Sequence, residues 1–457
     1  MAVWSEVFKS KIIKEHRFDA EFYDPKYHII ERALEHCQEK KRLGVLANRV
    51  KKGIFDISPS RYKTKGVPLI RTFQIKTPVA NEENLVYITE SDHKTDFSKT
   101  ELLAGDIVFT KIGAGIGDVA VLPNTYPVYN FSQNVAGLSI KKDNINPYYL
   151  VTFLNSFYGK QQIHRYMMPS GQGKLELRDI KLIIIPRFDE SIELRIEKIM
   201  FESERKILLS KSLYTQAQEL LEKELELDQL VLKKPKSYEI KFSEIVIAGR
   251  NDPEFHNPYT TALVNKIKAY NSFKLSESFV VGNGFPWVSS NFQDQPNGIP
   301  VIRIRNIRPG VIDIEQLNTL PEKYVKKCAA IKAKKNDLVI GMDGIKYFYA
   351  GLIDGESMIN QRVAHLKPKE SSKISSEYLM FIINERLGQA QLLRDMTIAN
   401  TVGHITNSSI RNLLIPLPSL KIHDEITDLV KNSIKAKKES EQLLDQAKLQ
   451  VEGLIEG

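Results

Sequence analysis

Cysteine is nearly absent from these 457 residues: Cys37 and Cys328 lie in opposite halves with neither a CxxC spacing nor a companion histidine cluster. That leaves no basis for a disulfide framework or a zinc site and fits a reducing cytoplasm. Long apolar runs are missing too. A run such as Leu182 to Pro186 falls far short of the roughly 20 residues that a membrane span needs, and the opening MAVWSEVFKSKIIKEHRF lacks the apolar stretch of a signal peptide. No export or membrane insertion is expected. A strong charge of one sign is also lacking: Lys+Arg 65 against Asp+Glu 56 leaves +9, which permits a polyanionic partner without requiring one. What is present, 42% hydrophobic and 26% charged side chains, is a globular composition with room for two or more cores.

The dominant feature is an internal repeat with a period of about half the chain. Ser10–Pro25 lies on Ser243–Pro258 with Arg17, Asp19, Glu21, Phe22 and Pro25 matched by Arg250, Asp252, Glu254, Phe255 and Pro258. GVPLIRTFQI (Gly66–Ile75) meets GIPVIRIRNI (Gly298–Ile307), and GDIVFTKIG (Gly105–Gly113) meets NDLVIGMDG (Asn336–Gly344). SQNVAGL (Ser132–Leu138) meets NQRVAHL (Asn360–Leu366), and IKLIIIP (Ile180–Pro186) meets IRNLLIP (Ile410–Pro416). Short β-branched runs punctuated by Gly, Pro and Asn predict a mixed α/β module in each half. Each is followed by a long amphipathic helix: Ile192, Ile196, Ile199, Leu213, Ala217, Leu220 and Leu227 in one, Ile422, Ile426, Val430, Ile434, Leu443, Ala447, Val451 and Leu454 in the other. The expected boundaries are residues 1–189 for the first module, 190–236 for its helix, 237–420 for the second module and 421–457 for the last helix. The class is α+β, with two tandem α/β modules joined by two long antiparallel coiled-coil helices about a pseudo-two-fold axis.

Catalytic and cofactor motifs are missing. Gly113, Gly115 and Gly117 form GxGxG without the third glycine of the dinucleotide motif, and strand-like VAVL follows instead of a helix, so a Gly-rich β-turn is expected. SGQGKLE has Leu175 where a phosphate-binding loop needs Ser or Thr, and no HExxH or GxSxG occurs. The acidic pairs Asp19/Glu21 and Asp252/Glu254 each follow an arginine, which predicts an ion pair anchoring the N-terminal segment of each module. What remains suits the reading of nucleic acid. The loop Lys51–Gly66 sets Arg61 and Lys63 beside Phe55 and Tyr62, and its counterpart Val280–Gly298 holds Trp287. Arg71, Arg303, Arg305, Gln133, Asn134, Asn360, Gln361 and Arg362 carry the groups that pair with base edges, and Lys111 and Lys346 add cations. Two late loops contribute Arg165, Gln172 and Lys174 in one half and Asn400, Thr401 and His404 in the other. All are candidate DNA contacts, and no metal ligand is expected.

These segments, above all TVGHITNSSIRNLLIPLPSLKIHDEI running into the terminal helix, resemble the specificity subunit of Type I restriction-modification systems over nearly the whole chain. The resemblance implies a non-catalytic subunit whose two target-recognition domains each read half of an asymmetric, bipartite double-stranded DNA site. It further implies that the helices dock two methyltransferase subunits and, through them, restriction subunits, with S-adenosylmethionine, ATP and magnesium held by those partners. A specificity subunit of another phage-defence methyltransferase complex, or a coiled-coil scaffold for proteins, would share the architecture.

Overall fold

The computed structural model describes residues 6–457 except 114, 141–143, 168–172, 228–234, 236, 294–297, 314–316, 326–331 and 400. It divides into two compact units, Met1–Ile207 with Lys438–Gly457, and Leu208–Lys437. The first holds two four-stranded sheets. One orders Ala47–Lys52, Val135–Ile140, Ile107–Thr110 and Val119–Val121, all antiparallel. The other orders Val86–Ile88, Val67–Ile70, Val128–Phe131 and Leu102–Leu103, with one parallel pair at its centre. The second unit repeats both orders. Phe279–Asn283, Val363–Pro368, Leu338–Gly341 and Ala350–Leu352 form the antiparallel sheet. Asn318–Leu320, Ile299–Ile302, Ser357–Ile359 and Lys332–Ala333 form the mixed one. The buried strands read as continuous apolar runs such as Ile107-Val108-Phe109, because both of their faces are covered.

The same close contacts recur in both units. Gly53 and Gly284 cross a neighbouring strand end so tightly that a Cβ would stand 1.9 Å from the carbonyl oxygen of Ser132 and of Asn360. Arg17 grips Asp19 at 2.6 Å and Arg250 grips Asp252 at 2.5 Å, which bears out the ion pair expected of each N-terminal segment.

Two long helices, Glu190–Glu224 and Leu420–Glu456, complete the units. In the first unit Ile196 and Met200 pack with Ala447, Val451 and Ile455 on the module core. Ser203 bonds Ser440 at 2.8 Å and Lys206 pairs with Glu439 at 2.6 Å, so the two helices run antiparallel. In the second unit Ala217, Leu221 and Leu225 join Ile426 and Val430, and Ser210 bonds Ser433 at 3.0 Å. Burial of these apolar stripes fixes helices whose own propensity would not hold them. The first helix stops at Glu224, short of the expected 236. Glu226 turns into the left-handed region (φ 50°), the Leu227 N–H reaches back to the Glu222 carbonyl, and Leu227 is buried in the core. Among the described residues no helix is long and apolar enough to cross a membrane.

Candidate nucleic-acid interface

In the first unit four candidates are carried to one end of the antiparallel sheet. Lys111 follows the strand Ile107–Thr110. Its N–H donates to the Asn134 carbonyl at 2.9 Å and its carbonyl accepts from Leu175 N–H at 3.0 Å, which brings Lys174 alongside. Gln133 is exposed and Asn134 half-buried at the adjoining turn, and Lys52 ends the outer strand. Lys111 is only 6% exposed, and among the described residues its ammonium has no carboxylate or hydrogen-bond partner. Burial lowers its pKa, as do the charges of Lys174 and Lys52, while Glu176 opposes them. The Gly-rich segment beside it joins two antiparallel strands, with Gly117 N–H bonded to the Thr110 carbonyl. It is a hairpin turn, as expected, and not the strand-to-helix turn of a nucleotide fold.

The other candidates of this unit lie apart from that group. Arg61 is bound to Asp92 and Asp96, both at 2.6 Å, and stacks on Phe97. Tyr62 is half-buried, Lys63 is exposed, and Phe55 in the same loop is 84% exposed. Arg71 donates to the Asn84 carbonyl, and its backbone N–H is held by buried Gln74.

The second unit assembles a different set at the equivalent sheet end. The Met342 N–H donates to the Arg362 carbonyl and its carbonyl accepts from Ile405 N–H, both at 3.0 Å. Here His404 Nδ1 lies 2.6 Å and Arg362 Nε 3.6 Å from the carboxylate of Asp343. Asn407 donates to Asn283 at 2.6 Å, and Gln361 and Thr401 are exposed nearby in sequence. Arg362 is 57% exposed, and Lys346 is exposed on a hairpin bearing the stacked Tyr347 and Tyr349. Asn360 contributes its backbone to the Gly284 crossing. On the mixed sheet Arg303 and exposed Arg305 share the Asn318 side-chain oxygen at 3.2 and 2.6 Å, and Arg303 lies over Phe292. Burial and the neighbouring Arg305 charge lower the pKa of Arg303.

Two expectations are corrected. Arg165 is buried: it donates to the Phe22 carbonyl, pairs with Glu31 and stacks on Phe22 at 4.4 Å, so its guanidinium is consumed by the fold. Half-buried Arg394 likewise donates to the Phe255 carbonyl and lies over that ring at 4.4 Å in the second unit. Trp287 is 8% exposed in a core cluster with Val301, Leu320 and Met358, so its ring packs the module instead of standing on its surface. Gln172 and Asn400 fall outside the described residues. Sequence reasoning passed over Asp343, which lies in no basic or aromatic run, and over Asn283, although it stands in the Val280–Gly298 segment. The repeat was the available signal, because both sit at the ends of aligned strands.

A family model for the Type I restriction modification DNA specificity domain matches residues 39–218 and again 267–449, well over half of the chain. The chain belongs to this family. The chain is 29% identical over 141 residues to the specificity subunit of the Type I restriction enzyme EcoBI from Escherichia coli, covering 31% of this chain and 27% of that protein. It is 26% identical over 191 residues to the MjaVIII specificity subunit of Methanocaldococcus jannaschii, covering 40% of this chain and 44% of that one. The matched stretches thus span less than half the length of these relatives. The crystal structure of the Type I restriction-modification S subunit from M. genitalium aligns at a TM-score of 0.45 and 11% identity, over 92% of this chain and 96% of that one. Each specificity domain begins near a short strand, Glu39–Arg42 or Ser272–Lys274, that pairs antiparallel with the strand just ahead of a long helix, and runs on into that helix.

Proposed function

We propose that this chain is the DNA-reading subunit of a Type I restriction-modification complex and that each specificity domain reads one half of an asymmetric, bipartite duplex site. The observation that carries this is the duplication of the specificity domain with divergent contact groups: lysines and amides in the first copy, an Asp343-centred set with Arg303 and Arg305 in the second. Base edges are read by these side chains in the groove, phosphates set the register, and the long helices hold the unread gap. The first long helix also offers exposed apolar side chains, Leu194 and Phe201 at seven-residue spacing, and the helices serve for docking two methyltransferase subunits, with restriction subunits joining through them. Chemistry, and with it S-adenosylmethionine, ATP and magnesium, belongs to those partners.

Selection from randomised duplex DNA by the purified chain, alone or with a methyltransferase subunit, tests this. Two short, different boxes at one fixed separation are expected. A well-folded chain that enriches nothing would sink the reading.

A further inference from the structure

The duplication allows the two units to be compared atom for atom at one place. In the first, Lys52 stands opposite Ala136, which in turn faces Phe109. In the second, Asn283 stands opposite Ala364, which faces Ile340. Two residues beyond come Lys111 and Met342, carried by strand alternation to the face that Lys52 and Asn283 share. Each is clasped by the same pair of backbone bonds, from Asn134 and Leu175 in one unit and from Arg362 and Ile405 in the other. Lys174 and His404 precede those last residues. The trio Lys52, Lys111 and Lys174 is therefore replaced by Asn283, Met342 and His404.

The electrostatics of the two places differ accordingly. In the second unit Asp343 holds His404 and faces Arg362, and Asn407 satisfies Asn283. In the first, Glu176 pairs with Lys174 at 2.6 Å, which leaves two lysines of the three uncompensated, one of them nearly buried and, among the described residues, without a partner. A desolvated ammonium is costly unless an anion completes it. A tetrahedral oxyanion supplies several acceptor oxygens to such point-charge donors at once.

We propose that Lys52, Lys111 and Lys174 form a receptor for one phosphate group, present in the first domain only, and that its occupant is a backbone phosphodiester of the DNA. The second clause rests on the DNA-reading function proposed above; the receptor itself does not. The full-length chain and its Lys111→Met variant, which installs the residue of the second copy, test both. In the first arm, inorganic phosphate is compared with chloride at matched ionic strength. Phosphate should raise the Tm of the natural chain and not that of K111M, while in chloride the variant should melt no lower. In the second arm, binding to a mixed-sequence duplex is followed against salt. K111M should bind roughly tenfold more weakly whatever the sequence, with the slope of log K against log salt reduced by about one. Neutralising single phosphates as methylphosphonates should find one position whose loss costs the natural chain affinity and K111M none.

Phosphate protection that is equal in both chains, or absent from both, overturns the receptor, and so does a reduced slope without phosphate-specific protection. Protection confined to the natural chain with an unchanged salt slope keeps the receptor and overturns the phosphodiester, leaving a free phosphate compound as occupant. If the natural chain binds no duplex at all, the DNA-reading function fails while the first arm still decides the receptor. Should K111M not fold, Lys52→Asn at the exposed end of its strand gives the same readouts.

Discussion

Arg165 and Arg394 occupy the last turn of equivalent helices, and each inserts its guanidinium between an aromatic ring and a backbone carbonyl of the N-terminal segment. Arg165→Ala is therefore expected to cost about 2–3 kcal/mol in urea unfolding and to leave DNA affinity per folded molecule unchanged; Glu31 reaches solvent, which holds the cost below that of a fully buried pair. Asp106 and Asp337 show how far equivalent residues can diverge. Burial raises the Asp106 pKa, against bonds from Leu103, Ile140 and Ser139. Burial pushes Asp337 up as well, but the bonds from His365 and the Lys334 N–H outweigh it and the pKa ends lowered. A lowered carboxylate stabilises the fold above its unfolded pKa and loses that contribution as pH falls through its folded one; a raised one does the opposite. On acidification below the usual carboxylate range Asp337 should withdraw its contribution from the second unit, so Asp337→Asn should lose less stability between neutral and acid pH than the natural chain, as read by hydrogen exchange at Val339. An equal loss in both would contradict it.

At the scale of elements, strand crossings and helix ends decide where candidate residues arrive. The crossing at Gly284 has no room for a side chain, so Gly284→Ala should destabilise the second unit by about 1–3 kcal/mol through overpacking and disturb the Asn360–Arg362 turn that it abuts. Differential unfolding of the two units would show this, and an unchanged midpoint would mean that the strand end can shift without penalty. Much of this level was readable beforehand. The repeat placed the strands, and 3.6-residue periodicity placed both long helices. The C-terminal limit of the first was missed because Glu226 adopts a left-handed turn without glycine, held by Leu227 dropping into a core that no local pattern announces.

For the whole molecule, the two-domain function makes asymmetric predictions. Arg305→Ala should weaken recognition of the half-site read by the second domain by about 1–3 kcal/mol and leave the other half-site readable in the same selection experiment. Equal loss at both half-sites would count against separate readers. Inserting one heptad in each long helix, after Leu209 and after Ser433, keeps the Ser210–Ser433 register and adds about 10 Å of helix. The gap between the two boxes should then lengthen by about three base pairs with the boxes themselves unchanged, whereas an unaltered gap would remove the helices from setting it.

Sequence alone determined the duplication, the two long helices and the anchoring arginine pairs, because these follow from local periodicity and from matched residues that need no partner beyond the neighbouring segment. Only the tertiary structure decided which charged groups are free. Arg61, Arg165 and Lys111 are all cations beside aromatic or Gly-rich loops in the sequence. Packing gives the first two carboxylates and rings to hold, and strands distant in sequence bury the third beside Lys174 and Lys52 with, among the described residues, no carboxylate bound to it. A charge is spent or available according to what lies within a few ångströms of it, and that neighbourhood is assembled by long-range contacts that no linear pattern encodes.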